Sequence, residues 1–143
     1  KFTTAAYMFG NFADAATSVY VGDLSNGNMS SLTNMEHMFF YFCNKATTFD
    51  IGDIGKWDVS NVTNMDRVFR SAAYNSKTIN MPNFANWDVS KVTNMDKMFT
   101  AFGVGSTWNL DLTPWNVCNV TTHIDFSAEM REGKIIEPNW VTT

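Results

Sequence analysis

The sequence predicts an α/β solenoid of about five stacked coils, each with one short parallel strand and one short helix. Two observations carry this expectation. The stretch WDVSNVTNMD at Trp57–Asp66 returns as WDVSKVTNMD at Trp87–Asp96, thirty residues later, and a segment that recurs at a fixed interval is a structural unit. Within each unit, a helical spacing of apolar residues gives way to a strand-like alternation.

The period runs through the whole chain. Met35, Met65 and Met95 stand thirty residues apart, while Thr33, Thr63, Thr93 and Thr121 repeat with a last step of 28. Trp57, Trp87 and Trp115 show the same step of 30 followed by 28, so one frame is two residues short between Phe99 and Trp115. This gives a single domain, 1–143, with copies at about 1–26, 27–56, 57–86, 87–114 and 115–143. The first and last copies are degraded, as expected of caps that face water. In the last copy, Ile135 follows Phe126 by nine residues, which aligns it with Trp108, nine after Phe99.

The helix of each unit is read from Met65, Val68 and Phe69, a spacing of i, i+3 and i+4 that repeats at Met35, Met38 and Phe39 and at Met95, Met98 and Phe99. Thr33, Thr63 and Thr93 each precede an acidic residue by three positions, the pattern of a helix start. The strand of each unit is read from alternation in Val19-Tyr20-Val21, Phe49-Asp50-Ile51, Ile79-Asn80-Met81 and Trp108-Asn109-Leu110. Such strands stack as one parallel ladder with rungs about 4.8 Å apart, giving a stub roughly 20–25 Å long.

Read down the stack, the units form columns. Trp57, Trp87 and Trp115 are expected in the core. Asn34, Asn64 and Asn94 are expected as a ladder whose carboxamides donate to one neighbouring coil and accept from the other. The outward strand face, with Ser18, Tyr20, Thr48, Asp50, Thr78, Asn80, Thr107 and Asn109, is the candidate binding surface. Its second column holds Tyr, Asp and Asn, which spoils the flat hydroxyl lattice that ice binding would need.

Other signals are explained by the repeat. Asn28-Met29-Ser30, Asn61-Val62-Thr63 and Asn119-Val120-Thr121 match a glycosylation acceptor, but the repeat itself generates them. Asp50-Ile51-Gly52-Asp53 lacks the ligand spacing of a calcium loop. His37 is placed on the outer side of its helix, and neither it nor His123 has a carboxylate partner by spacing. No nucleophile elbow, Gly-rich phosphate loop or paired carboxylates stand out, so neither an enzyme nor a cofactor is expected. Cys43 and Cys118 fall in different columns of coils that are not neighbours, and two buried free thiols are expected.

Composition sets the remaining bounds. The chain has 143 residues, 45% of them hydrophobic and 15% aromatic, which suits a packed core. Its net charge of −4 comes without a Lys/Arg cluster, which argues against nucleic acid. No apolar run approaches the roughly 20 residues of a membrane span. A start at Lys1 without Met points to a mature or excised piece of something longer.

The repeated WDVSNVTNMDRVF at 57–69 and WDVSKVTNMDKMF at 87–99 resemble the BspA-like family of leucine-rich-repeat surface proteins. The match is weaker at 27–39, where Gly27 replaces Trp, and fainter still at 5–27 and 115–140. The resemblance implies a leucine-rich-repeat-like solenoid and adhesion or partner binding without catalysis. It implies an extracellular or cell-surface setting, and it carries no binding residues across. The expected function is a surface module contacting a protein or glycan. The alternative is a structural part of a virion or extracellular appendage, at a virion surface, packing on itself or on a shell protein.

Overall fold

Thr-Asn-Met, the shared centre of the units, is where the chain is stitched to itself. The computed structural model describes residues 2–18, 21–130 and 134–141. Isolated parallel bridges run Thr4 to Asn34, Asn34 to Asn64, Asn64 to Asn94 and Asn94 to Thr122. Each coil is bonded on both sides: the Thr63 amide donates to the Thr33 carbonyl at 2.8 Å, and the Met65 amide to that of Asn94 at 2.9 Å.

The expected pairing of a strand with a helix in every coil is overturned. Among the described residues no helix exceeds three residues, and the strands are two residues long in two separate pairs. Strands β1 (Thr48–Phe49) and β2 (Thr78–Ile79) pair in parallel, as do β3 (Leu110–Asp111) and β4 (Ile135–Ile136). The helical turns are single 3₁₀ turns at Ile54–Lys56 and Phe84–Asn86, just ahead of Trp57 and Trp87. Most of the chain is turn and loop, not an α/β leucine-rich-repeat-like solenoid.

The reason no helix forms lies in where the amides go. An α-helix returns every amide to the carbonyl four residues back. Here the amides of Arg67, Phe69 and Ser71 cross to the carbonyls of Asp96, Met98 and Thr100 at 2.8–2.9 Å. Those of Arg70 and Ala72 turn back only three residues, to Arg67 and Phe69. Alternation of crossing and turning requires left-handed residues at fixed places. Tyr7, His37, Arg67, Lys97 and Asp125 form one such column, with φ between 53° and 58°. Asn11, Tyr41, Ser71, Ala101 and Glu129 form a second, and Ala13, Cys43, Ala73 and Gly103 a third. The path still turns Met65, Val68 and Phe69 into a fully buried row, which is why the sequence mimics a helix.

A left-handed conformation costs an L-residue roughly 1–2 kcal/mol relative to right-handed backbone. Lys97→Gly should therefore be more stable than Lys97→Ala by about 1 kcal/mol, since both remove the side chain and only one keeps the Cβ. Urea midpoints of the two variants measure the difference. Equal midpoints would show that this column carries no backbone strain.

The core is a ladder of rings. Phe9, Phe39, Phe69 and Phe99 stack with centroids 5.3, 5.2 and 5.4 Å apart and planes within 10° of parallel. Phe126 closes the ladder edge-on at 5.6 Å. Beside it, three Trp indoles each reach back one coil. Nε1 of Trp57, Trp87 and Trp115 donates to the carbonyls of Leu24, Ile54 and Phe84, each at 2.8 Å.

The single parallel ladder expected of the strands is interrupted between β2 and β3. Thr78 follows Phe69 by nine residues, but Thr107 follows Phe99 by eight. One missing residue changes which face a strand position presents, and the segment pairs onward with β4 instead. The expected alignment of Ile135 with Trp108 is also shifted, since Ile135 lies opposite Leu110. Trp108 turns into the core beneath Lys134, whose Nζ lies 5.2 Å from its ring and donates to the Gly103 carbonyl at 2.5 Å.

Candidate functional site

The outward strand face comes together only in part. Ser18, Thr48, Asp50, Thr78, Asn80, Thr107 and Asn109 are all exposed, and Tyr20 lies outside the described residues. Thr48 sits opposite Thr78 in the β1–β2 pair, and the Asn80 carboxamide donates to Asp50 Oδ2 at 2.8 Å. Asp50 Oδ1 accepts from the Gly52 amide at 3.1 Å, so this carboxylate is occupied by its own coil and the next. Thr107 and Asn109 lie beyond the interruption. Asp53 is likewise spoken for, its Oδ1 accepting from the amides of Gly55 and Asn83.

The Asn column works differently from the expected relay between coils. Oδ1 of Asn34, Asn64 and Asn94 accepts from the amide two residues ahead, at Glu36, Asp66 and Asp96 (2.9–3.0 Å), closing a turn within its own coil. The rungs between coils here are backbone bridges and the Thr hydroxyls, and of the donor half of the expected relay Asn64 Nδ2 reaches Glu36 Oε2 of the preceding coil at 3.4 Å. Oγ1 of Thr33, Thr63, Thr93 and Thr121 donates to the carbonyl of Thr3, Thr33, Thr63 and Thr93 in turn, at 3.1–3.2 Å. These hydroxyls bridge coils and do not cap helices. The acceptor-motif residues Asn61 and Asn119 are rungs as well, donating to the carbonyls of Ser30 and Ser90.

Sequence spacing missed a cluster on the turn flank. Glu36 and His37 of one coil meet Asp66 and Arg67 of the next, because the His37 amide donates to the Asp66 carbonyl at 2.9 Å. His37 is not on an outer surface, as expected, but 7% exposed, and Asp66 is equally buried. Nδ1 of His37 lies 3.3 Å from Glu36 Oε1, without the alignment of a hydrogen bond. Arg67 grips Asp66 Oδ2 closely. The Tyr7 ring stacks on the imidazole at 4.4 Å, and Phe40 meets it edge-on at 5.0 Å. The signal was an acidic column (Glu36, Asp66, Asp96) beside a mostly basic one (His37, Arg67, Lys97), legible only by reading adjacent columns together.

Burial pulls the His37 pKa below its ordinary value, against the opposing pull of Asp66 and Glu36. Burial raises that of Asp66, against Arg67 and then His37. The signs give a pH prediction. Below 6.5 the unfolded chain protonates its histidine before the folded one does, so stability should fall as pH drops through that value. Asp66 acts in the opposite sense nearer its ordinary 3.8, where the folded state takes up a proton first. In His37→Asn, with a side chain that tolerates positive φ, the loss just below pH 6.5 should be smaller than in the parent chain. Urea melts from pH 7 downward decide it, and identical slopes would remove His37 as the cause.

The flank also carries a polar depression of about 330 Å³, lined by Tyr41, Asn44, Ser71, Tyr74, Asn75 and Glu129. It crosses coils, with Asn75 Nδ2 donating to Asn44 Oδ1 at 3.4 Å. Both cysteines are free. Cys43 is buried, which pushes its thiol up to about 11, but Cys118 is exposed, contrary to expectation. Among the described residues no helix is long and apolar enough to cross a membrane.

Comparison with curated proteins and with solved structures finds no match. One family model, described as "Mycoplasma protein of unknown function, DUF285", matches residues 3–136. That span holds the bridges, the ring ladder, the Trp column and the flank cluster, and the chain accordingly belongs to the DUF285 family.

Proposed function

We propose that this chain is a non-catalytic surface module that binds a glycan at the polar depression on its turn flank. The lining carries the proposal. Asn44 and Asn75 offer carboxamide donors and acceptors, Glu129 offers a carboxylate, and Tyr41 and Tyr74 offer ring faces. A sugar presents hydroxyls that both give and take hydrogen bonds, and apolar C–H faces that lie against rings. The lining residues also differ from coil to coil: the column of Tyr41 continues as Ser71, Ala101 and Glu129. Variation set on a repeated scaffold is how one architecture acquires a specific partner. The strand face supports the reading less well, since both Asp50 oxygens are taken at 2.8 and 3.1 Å, by Asn80 and the Gly52 amide, whereas the side-chain bond within the depression, Asn75 to Asn44, is a long 3.4 Å. The resemblance to BspA-like surface proteins agrees with an extracellular or cell-surface setting.

Glycan-array binding of the chain and of Tyr74→Ala tests this. Binding that falls at least tenfold in Tyr74→Ala and persists in Asn80→Ala is the expected result. No binding above background, or equal binding by both variants, overturns it.

A second reading is packing against a like molecule or a shell protein. It is favoured by the apolar first coil, where Phe2, Tyr7, Met8 and Phe12 are 46–54% exposed. Sedimentation across a concentration series distinguishes it: a strictly monomeric chain would remove self-packing.

A further inference from the structure

The Glu36–His37–Asp66 cluster carries more than an ion pair. One ligand atom from each of the three residues lies within 4.8 Å of the other two. Among the described residues Asp66 Oδ1 and His37 Nδ1 are buried without a hydrogen-bond partner, Nδ1 facing Glu36 Oε1 at 3.3 Å as an ion-pair contact, and both residues are only 7% exposed. Buried polar atoms in that state call for a partner.

Their companion atoms are already engaged. Arg67 takes Asp66 Oδ2 and Asn64 Nδ2 donates to Glu36 Oε2 at 3.4 Å, which leaves Asp66 Oδ1 without a partner and Glu36 Oε1 3.3 Å from His37 Nδ1. The rings of Tyr7 and Phe40 fix the imidazole plane. Such outer contacts orient ligands before an ion arrives.

We propose that Glu36, His37 and Asp66 form a site for a divalent transition-metal ion of the zinc type, clamping two neighbouring coils. One imidazole nitrogen with two carboxylate oxygens suits zinc or cobalt, whereas magnesium and calcium prefer oxygen alone. Bonds of about 2.0–2.1 Å in tetrahedral geometry place ligand atoms roughly 3.3 Å apart. Glu36 Oε1 and His37 Nδ1 already stand at 3.3 Å, so closing the site mainly requires movement of the Asp66 carboxylate. Two carboxylates against the Arg67 guanidinium leave the cluster with a net negative charge that a divalent ion offsets. The Glu36 side chain is 33% exposed and provides the approach, with water completing the fourth position.

The test is a Co²⁺ titration followed by visible absorption, repeated on His37→Asn, Asp66→Asn and His123→Asn. A ligand-field band that saturates at one ion per chain, is displaced by Zn²⁺, and is lost in the first two variants but kept in the third supports the site. Saturating Zn²⁺ should also raise the melting temperature of the parent chain by roughly 5–10 °C, and Mg²⁺ should not. No band in the parent chain, or a band that survives His37→Asn, overturns the site, as does an equal melting shift with Mg²⁺. If either variant fails to fold, the ring resonances of the parent chain decide: Zn²⁺ must shift those of His37 and leave those of His123 in place, and an unmoved His37 overturns the proposal.

Discussion

Phe69→Ala should lower stability by about 3–5 kcal/mol. Its ring is fully buried in the middle of the ladder, stacked on Phe39 and Phe99 and in contact with Phe84, Phe102 and Trp87. Collapse over the void is limited because the stacked neighbours are tied by backbone bonds, Phe39 to the Val68 carbonyl and Phe99 to that of Phe126. A domain of this size has about 5–15 kcal/mol in all, so the variant should lose a large share of its stability and melt well below the parent chain. Urea melts followed by circular dichroism measure the loss. A change below about 1 kcal/mol would mean that the Phe69 ring is not packed in the core in solution.

Trp87→Ala should cost about as much, 3–5 kcal/mol, for a different combination of reasons. The indole is 3% exposed, and its Nε1 donates to the Ile54 carbonyl of the preceding coil. That carbonyl also accepts from the Trp57 amide at 3.0 Å. It is therefore not orphaned when the indole is removed, and the loss is mainly packing. Trp87→Phe separates the two contributions, since it keeps most of the apolar volume and removes the donor. Its cost should exceed that of the lost volume by about 1 kcal/mol, the net value of one hydrogen bond. If Trp87→Ala melted like the parent chain, the column would not be part of the core in solution.

The repeat was readable from the residues, because Met, Phe, Val and Trp recur at intervals that only a stack can use. The helix was misread for a physical reason. Met65, Val68 and Phe69 share one face of a helix, but a chain that turns three residues at a time buries the same three. What separates the two paths is positive φ at positions such as His37, Arg67, Ala73 and Lys97, and none of these residue types announces it. Asn11, Asp125 and Gly103 in the same columns are types that favour it, and at Gly103 an added Cβ would stand 2.5 Å from Ile79 Cδ1. The Thr-x-x-Asp pattern was misassigned as a helix start because the same Thr can donate across coils. The flank cluster escaped notice because His37 meets Asp66, 29 positions along, and a search along a period of thirty passes just beside it.

The bonds that join the coils have a consequence for descent. The Thr63 amide finds the Thr33 carbonyl just as that of Thr93 finds Thr63, at 2.8 and 2.9 Å. A thirty-residue coil removed or duplicated in whole would leave the Thr amides and carbonyls of this column facing equivalent partners. Length is therefore a trait that this fold can vary one coil at a time, with the exposed side chains carried along on whichever coils remain.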